Sequence, residues 1–159
     1  MNYPITPAVR FLREKKVEFE PHVFEYVEKG GTKHSSEVLK LDEHAVVKTL
    51  VFETNERKPL IVLQHGDFQV STKELARILN VKTIAPASPE QANKLTGYLI
   101  GGTSPFGIKT KMPIYAEKTI FALSRIYING GKRGFLIAIE PRVLKEVLAV
   151  EEIEVGIKD

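Results

Sequence analysis

Cysteine is missing from this chain of 159 residues. Its absence excludes disulfides, thiolate metal ligands and a cysteine nucleophile together, and it fits a reducing compartment. Long apolar runs are missing too, since nothing approaches the ~20 residues that a membrane helix needs. The opening Met1-Asn2-Tyr3-Pro4 lacks the basic-then-apolar layout of a secretory signal, so the expectation is a cytoplasmic protein. His22, His34, His44 and His65 are scattered without H-x-x-x-H spacing, and no metal site is expected. There is no G-x-S-x-G elbow, and serine and aspartate form no recognisable nucleophilic triad. No cofactor is expected.

What is present suits one globular domain over residues 1–159. The hydrophobic fraction of 43% and the charged fraction of 27% are ordinary, and the length suffices for a sizeable core. The net charge of +3 is unevenly spread. From Gln91 to Ile139 there are seven bases and one acid, a local balance of +6, against −3 for the remainder. A basic half of this kind suits a polyanionic partner, although solvated surface lysines would give the same count.

Local signals alternate between helix and strand. Thr6-Pro7 opens a helix with an N-cap hydroxyl and a first-turn proline. Val17 to Val27 reads as a strand, and Ser35 or Ser36 as the cap of a short helix through Leu41. Val46–Phe52 and Leu60–Leu63 are β-branched runs across a turn, which predicts a hairpin. Ser71-Thr72-Lys73-Glu74 is a capping box, and Ser88-Pro89-Glu90-Gln91 repeats the device. Further strands are expected at Tyr98–Ile100, Ile114–Ala116, Arg125–Ile128 and Phe135–Ile139, with a last helix from Pro141. Hairpin-short links among interleaved helices favour a mixed α/β fold over a doubly wound parallel sheet.

Three stretches could carry chemistry. Lys48 lies inside the apolar run Val46–Val51, on the face of Val46 and Leu50. Pattern alone favours an edge-strand lysine reaching water, and a pocket ammonium is the alternative. Gly97 to Gly107 is glycine-punctuated, so its amides could point at an oxyanion or phosphate, with Thr103 and Ser104 adding hydroxyls. It nearly spells a phosphate-binding P-loop. Ile108 intrudes before Lys109, and Pro113 forbids the long helix that must follow, so a nucleotide triphosphatase is excluded. Asn129-Gly130-Gly131 is a tight-turn signal with Lys132-Arg133 at its tip, suited either to a phosphate or to a plain soluble hairpin.

Taken in order, Thr6-Pro7-Ala8-Val9, Lys48-Thr49-Leu50, Thr96 through Pro105, and Gly130-Gly131-Lys132-Arg133-Gly134 resemble the YbaK/EbsC family of aminoacyl-tRNA editing domains. The resemblance implies a curved, barrel-like mixed β-sheet flanked by short helices. It implies cleavage of an amino acid ester at the 3′ end of tRNA, cysteine and sometimes alanine being cleared from tRNA for proline. It carries Lys48, Gly101 and Gly102 over as the catalytic set, the glycines as backbone donors. Phe24, Thr49, Thr103, Ser104, Pro105, Asn129 and Gly130 would line the substrate pocket. Lys109, Lys111, Lys132 and Arg133 would contact the tRNA, and prolyl-tRNA synthetase is a further partner that the resemblance admits. The cysteine-clearing members usually have serine where Asn129 stands and tyrosine where Phe24 stands. Some have an acid where Leu136 stands.

Ester cleavage needs a nucleophile, a stabilised oxyanion and a held substrate. With no obvious general base in the sequence, the nucleophile would be a positioned water or, for a cysteine cargo, its own thiol. The rival reading is a non-catalytic tRNA- or ribosome-associated module on the same fold.

Overall fold

The computed structural model describes residues 2–159. Helix α1 (Pro7–Glu14) starts where Thr6 Oγ1 accepts from Val9 N–H at 3.1 Å, and it buries Ala8, Val9 and Leu12. Strand β1 is short (Glu20–Val23). Helix α2 (Gly31–Leu39) begins earlier than the sequence suggests. Ser35 and Ser36 lie inside it, and their hydroxyls donate to the Thr32 and Lys33 carbonyls one turn back. Lying a full turn inside the helix, neither serine stands where its hydroxyl could cap the start.

The hairpin forms as expected, from β2 (Val46–Thr54) and β3 (Pro59–His65), antiparallel from Val47↔His65 to Glu53↔Pro59. After it come β4 (Phe68–Val70), α3 (Thr72–Leu79), β5 (Ile84–Pro86) and α4 (Pro89–Thr96). Both capping serines work as read: Ser71 Oγ accepts from Glu74 N–H and Ser88 Oγ from Gln91 N–H. Then follow β6 (Ile114–Glu117), β7 (Ile126–Lys132), β8 (Phe135–Ile139), α5 (Arg142–Val147), β9 (Val150–Ile153) and β10 (Gly156–Lys158).

The strand expected at Tyr98–Ile100 is a turn instead. Tyr98 is pinned inward, its hydroxyl donating to the Phe106 carbonyl, while Leu99 and Ile100 stand 60% and 57% exposed. The Gly102 N–H closes the turn on Leu99 O at 2.9 Å.

Seven strands hydrogen-bond in the order β1-β8-β7-β2-β3-β6-β9, with β5 on the side of β2, while β10 and β4 pair separately. The sheet is mixed: β2–β7, β3–β6 and β6–β9 are parallel, the other ladders antiparallel. Alternation sends Val47, Val51, Ile61 and Leu63 into the main core with Ile126, Ile128, Ile137 and helix α1. It sends Phe52, Leu60 and Val62 the other way, onto Leu75 and Ala76 of α3. A hairpin covered on both faces reads as a nearly continuous apolar run, which is why β2 and β3 show little polar alternation.

Removing buried methylenes at the centre should therefore be expensive, and removing a surface cap cheaper. Urea denaturation should give a loss of about 2–5 kcal/mol for Leu63→Ala and about 1 kcal/mol for Ser71→Ala. Equal effects would contradict the layering described here.

Candidate functional site

Strand β2 is interior, with β3 on one side and β7 on the other, so Lys48 is not an edge-strand lysine. The β2–β7 ladder pairs Val46 with Tyr127 and Val47 with Ile128. One residue further along the same strands, Lys48 and Asn129 stand level. Asn129 pairs with Leu136 on β8, and Leu136 pairs with His22 on β1. Paired residues share a face. Lys48, Asn129, Leu136 and His22 therefore form one row across four strands, on the face opposite Val47 and Ile128. Phe24 follows His22 two residues on. It is tied at its N–H to Gly134 O at 2.9 Å, and its ring lies 6.0 Å from that of His34 on α2.

Asn129 also clasps the glycine loop. Its Nδ2 donates to Gly101 O at 3.0 Å, and its Oδ1 accepts from the N–H groups of Gly131 (2.7 Å) and Lys132 (3.2 Å). Arg133 completes the clasp: its Nε donates to Ile100 O at 2.8 Å and its guanidinium lies 5.1 Å over the Tyr26 ring. The loop is so close that side chains are excluded. A Cβ on Gly101 would meet the Tyr26 hydroxyl at 2.7 Å, at a backbone φ of +87°. A Cβ on Gly102 would meet Arg133 N at 2.8 Å. Gly102 is thus required by backbone approach rather than by left-handed geometry.

The loop's donors differ from the sequence reading. The Gly102 N–H is spent on Leu99 O, so it is not a pocket donor. Among the described residues no acceptor takes the Gly101 N–H. Ser104 is fully buried and its hydroxyl accepts from Phe106 N–H at 3.2 Å, so it shapes the loop from inside. Pro105 is buried beside it. Thr103 Oγ1 reaches back to Leu99 O at 3.5 Å. Thr49 lies on the core face, away from Lys48, with a buried hydroxyl that has no partner among the described residues. The Gly130 carbonyl accepts from Thr6 Oγ1 at 2.5 Å, joining the clasp to the start of α1. Lys132 and Arg133 are exposed at the loop, Lys109 is exposed at its other end near Thr96, and Lys111 is exposed just beyond.

Burial holds the Lys48 ammonium below the ordinary lysine range, against the pull of Asp159, Glu43 and Asp67. The ammonium donates to the Phe68 carbonyl. Beside it lies a grouping that the spacing of the histidines hides. His44 Nδ1 is 2.9 Å from Asp67 Oδ1, and the His44 and His65 rings stack at 3.7 Å with 8° between their planes. Three ligand atoms of His44, His65 and Asp67 lie within 4.8 Å of one another. Parallel stacked rings aim their in-plane lone pairs alongside each other rather than at one point, and tetrahedral coordination needs convergence. The hairpin register could have revealed the grouping. Counting three residues back from Val47↔His65 brings His44 level with Phe68.

Two hollows lie elsewhere. The larger, about 1030 Å³, is lined by Lys15, Glu20, Arg125, Arg142 and neighbours, and the smaller, about 410 Å³, by Ile78, Lys118 and Glu152–Glu154. In the larger one Arg125 pairs with Glu20 and Arg142 with Glu140 and Glu146, so its charges are internally matched.

Comparison with known proteins matches residues 31–147 to the family model described as "Aminoacyl-tRNA editing domain". A protein of Enterococcus faecalis named "Putative Cys-tRNA(Pro)/Cys-tRNA(Cys) deacylase EbsC" is 27% identical over 97% of this chain and 94% of its own length. A proline–tRNA ligase of Streptococcus agalactiae serotype V is 29% identical over 83% of this chain, which spans only 20% of that enzyme. Among solved structures, "a putative trans-editing enzyme for prolyl tRNA synthetase" superposes with a TM-score of 0.84 at 20% identity, covering 98% of this chain and 99% of the other. The hypothetical protein APE2540 gives 0.86 at 18% identity, over 95% and 99%. These two establish the mixed α/β fold.

Two outcomes follow from the geometry. Gly102→Ala should push the loop off the hairpin and lower loop-dependent activity ~100-fold or more, as expected when a positioned donor is displaced, with a much smaller change in melting temperature. A variant with unchanged activity would show that the clasp is only structural. Burial also holds the His65 imidazole below its ordinary value of 6.5. The unfolded chain then takes up the proton first, so stability is full above about pH 6.5 and declines as pH falls below it. His65→Gln should flatten that decline in urea titrations, and an equally steep decline would assign it to other groups.

Proposed function

Since the chain belongs to the aminoacyl-tRNA editing domain family, we propose that it is a trans-acting deacylase that frees tRNA from a wrongly attached amino acid. The observation that carries this reading is the row of Lys48 and Asn129 with the Gly101 loop clasped over it. An ester carbonyl placed there would meet the Gly101 N–H as an oxyanion donor, with the half-buried Lys48 ammonium near the ribose or terminal phosphate. The work is mainly positioning, because the groups are fixed before the substrate arrives. Exposed Lys109, Lys111, Lys132 and Arg133 suit the tRNA backbone. The whole of 1–159 acts as one editing domain.

The finer reading is that cysteine, and secondarily alanine, is cleared from tRNA for proline. The name of the E. faecalis relative supports the cysteine cargo, and the likeness to proline–tRNA ligases supports tRNA for proline and action beside prolyl-tRNA synthetase. Leu136, buried in the row, makes the pocket less polar than an acid would and suits a small apolar or thiol side chain. A second reading has its own observation. Asn129 spends its amide oxygen and one amide hydrogen on the clasp, and the Lys48 ammonium is turned to Phe68 O, as befits a module that binds without turnover.

A panel of mischarged tRNAs decides between them. Cys-tRNA(Pro) and Ala-tRNA(Pro) should lose their esters with the wild type, and Lys48→Met should abolish the loss. Because burial disfavours that charge, the same variant should melt within about 2–4 °C of the wild type or above it. Binding of tRNA without ester loss would select the non-catalytic module. Each phosphate contact should add about 0.7–0.9 to the log–log salt slope, so neutralising Lys132 and Arg133 should flatten it. Salt-indifferent binding would remove the basic segment from the interface.

A further inference from the structure

We infer that His44 is the general base of the deacylation, with Asp67 and His65 as its positioning residues; this rests on the deacylase reading above. The imidazole is held from three sides. Asp67 Oδ1 accepts a hydrogen bond from His44 Nδ1–H at 2.9 Å, His65 stacks on one face at 3.7 Å, and the Phe68 ring lies 5.3 Å away. His65 is itself locked. Its Nδ1–H donates to the His44 carbonyl at 2.7 Å, so its Nε2 must accept from the Thr119 hydroxyl at 2.6 Å. Both nitrogens of His65 and one of His44 are thereby used. Among the described residues, His44 Nε2 is the one ring nitrogen of the pair left without a hydrogen bond, on a side chain 32% exposed. A carboxylate that fixes one nitrogen and leaves the other free selects the tautomer a general base needs.

The placement relative to Lys48 is direct. The Lys48 ammonium donates to the carbonyl of Phe68, next in chain to Asp67, and Asp67 and Glu43 both attract its charge. Ammonium and imidazole thus flank one turn. The other ionisable groups nearby are Asp42, whose carboxylate accepts from the His44 backbone N–H, Asp159 beside Lys48, and Glu117 beyond His65. In the step itself, His44 Nε2 takes a proton from water as the water oxygen bonds to the ester carbonyl carbon. The tetrahedral intermediate then breaks its bond to the ribose oxygen, which receives that proton from the imidazolium. One water is consumed and His44 returns neutral.

The test is single-turnover ester loss from Ala-tRNA(Pro) and Cys-tRNA(Pro), with the enzyme-free rate subtracted, between pH 5 and 8.5. The wild-type rate should fall on the acid side and level off at higher pH. His44→Gln should lower the rate about 10²–10⁴-fold and remove the acid limb. Asp67→Asn should lower it less and displace the limb, which a merely structural role would not do. If the wild type is active and His44→Gln keeps its rate and profile, the inference is overturned while the deacylase reading stands. A flat wild-type profile overturns it equally, even where His44→Gln fails to fold. If the wild type clears neither ester, both fall.

Discussion

The site depends on one short parallel ladder. Two residue pairs, Val46↔Tyr127 and Val47↔Ile128, join β1-β8-β7 to the hairpin half of the sheet. Parallel strands cannot be linked by a tight turn, so everything between Thr54 and Ile126 must be accommodated before the two halves meet. The intervening chain supplies α3, α4, β6 and the glycine loop. When the ladder closes, it fixes Lys48 beside Asn129 and brings the loop onto the β7–β8 hairpin. A slip of one residue would turn Lys48 and Asn129 to opposite faces. Apolar partners guard the register: Val47 and Ile128 are both buried in the main core.

The same architecture explains why a charge is tolerated at the sheet centre. The core face of β2 is sealed by Val47 and Val51, while on the other face Lys48 stands between Val46 and Leu50. Its neighbours there are Gln64, which donates to Glu117 at 3.0 Å, and the His44–Asp67 pair. A half-buried ammonium in such surroundings is costly for folding and useful for a polar ester, which is the usual trade at functional positions. The glycine loop makes a similar trade. Its exposed Leu99 and Ile100 cannot help the core, and its closeness to Arg133 forbids the side chains that could.

Local chemistry made part of this legible in advance. Thr6, Ser71 and Ser88 marked helix starts because each cap is satisfied within three residues. The β2–β3 hairpin was legible because both strands are β-branched runs about a turn. Strands β4, β5 and β10 were not, since three residues carry no periodicity and pairing alone defines them. Tyr98–Ile100 looked extended, but tertiary context decided otherwise: the Tyr98 hydroxyl anchors to Phe106 and the apolar residues after it turn to solvent. At the site, Lys48, Gly101 and Asn129 were legible as types in a pattern. Their division of labour was not. That the Gly102 amide closes a turn, and that Ser104 is buried, are consequences of the loop's own hydrogen bonds. The His44–His65–Asp67 grouping was hidden because it is made by hairpin register rather than by sequence spacing.

The central claim is that the row of Lys48, Asn129, Leu136 and His22 under the Gly101 loop is where the aminoacyl ester sits. Amide chemical-shift mapping with a non-hydrolysable, amide-linked analogue of the aminoacylated 3′ adenosine tests it most directly. The account predicts saturable shifts at Lys48, Gly101, Asn129 and Leu136. Shifts confined to the charged hollow around Lys15, Arg125 and Arg142, with this row unmoved, would contradict it.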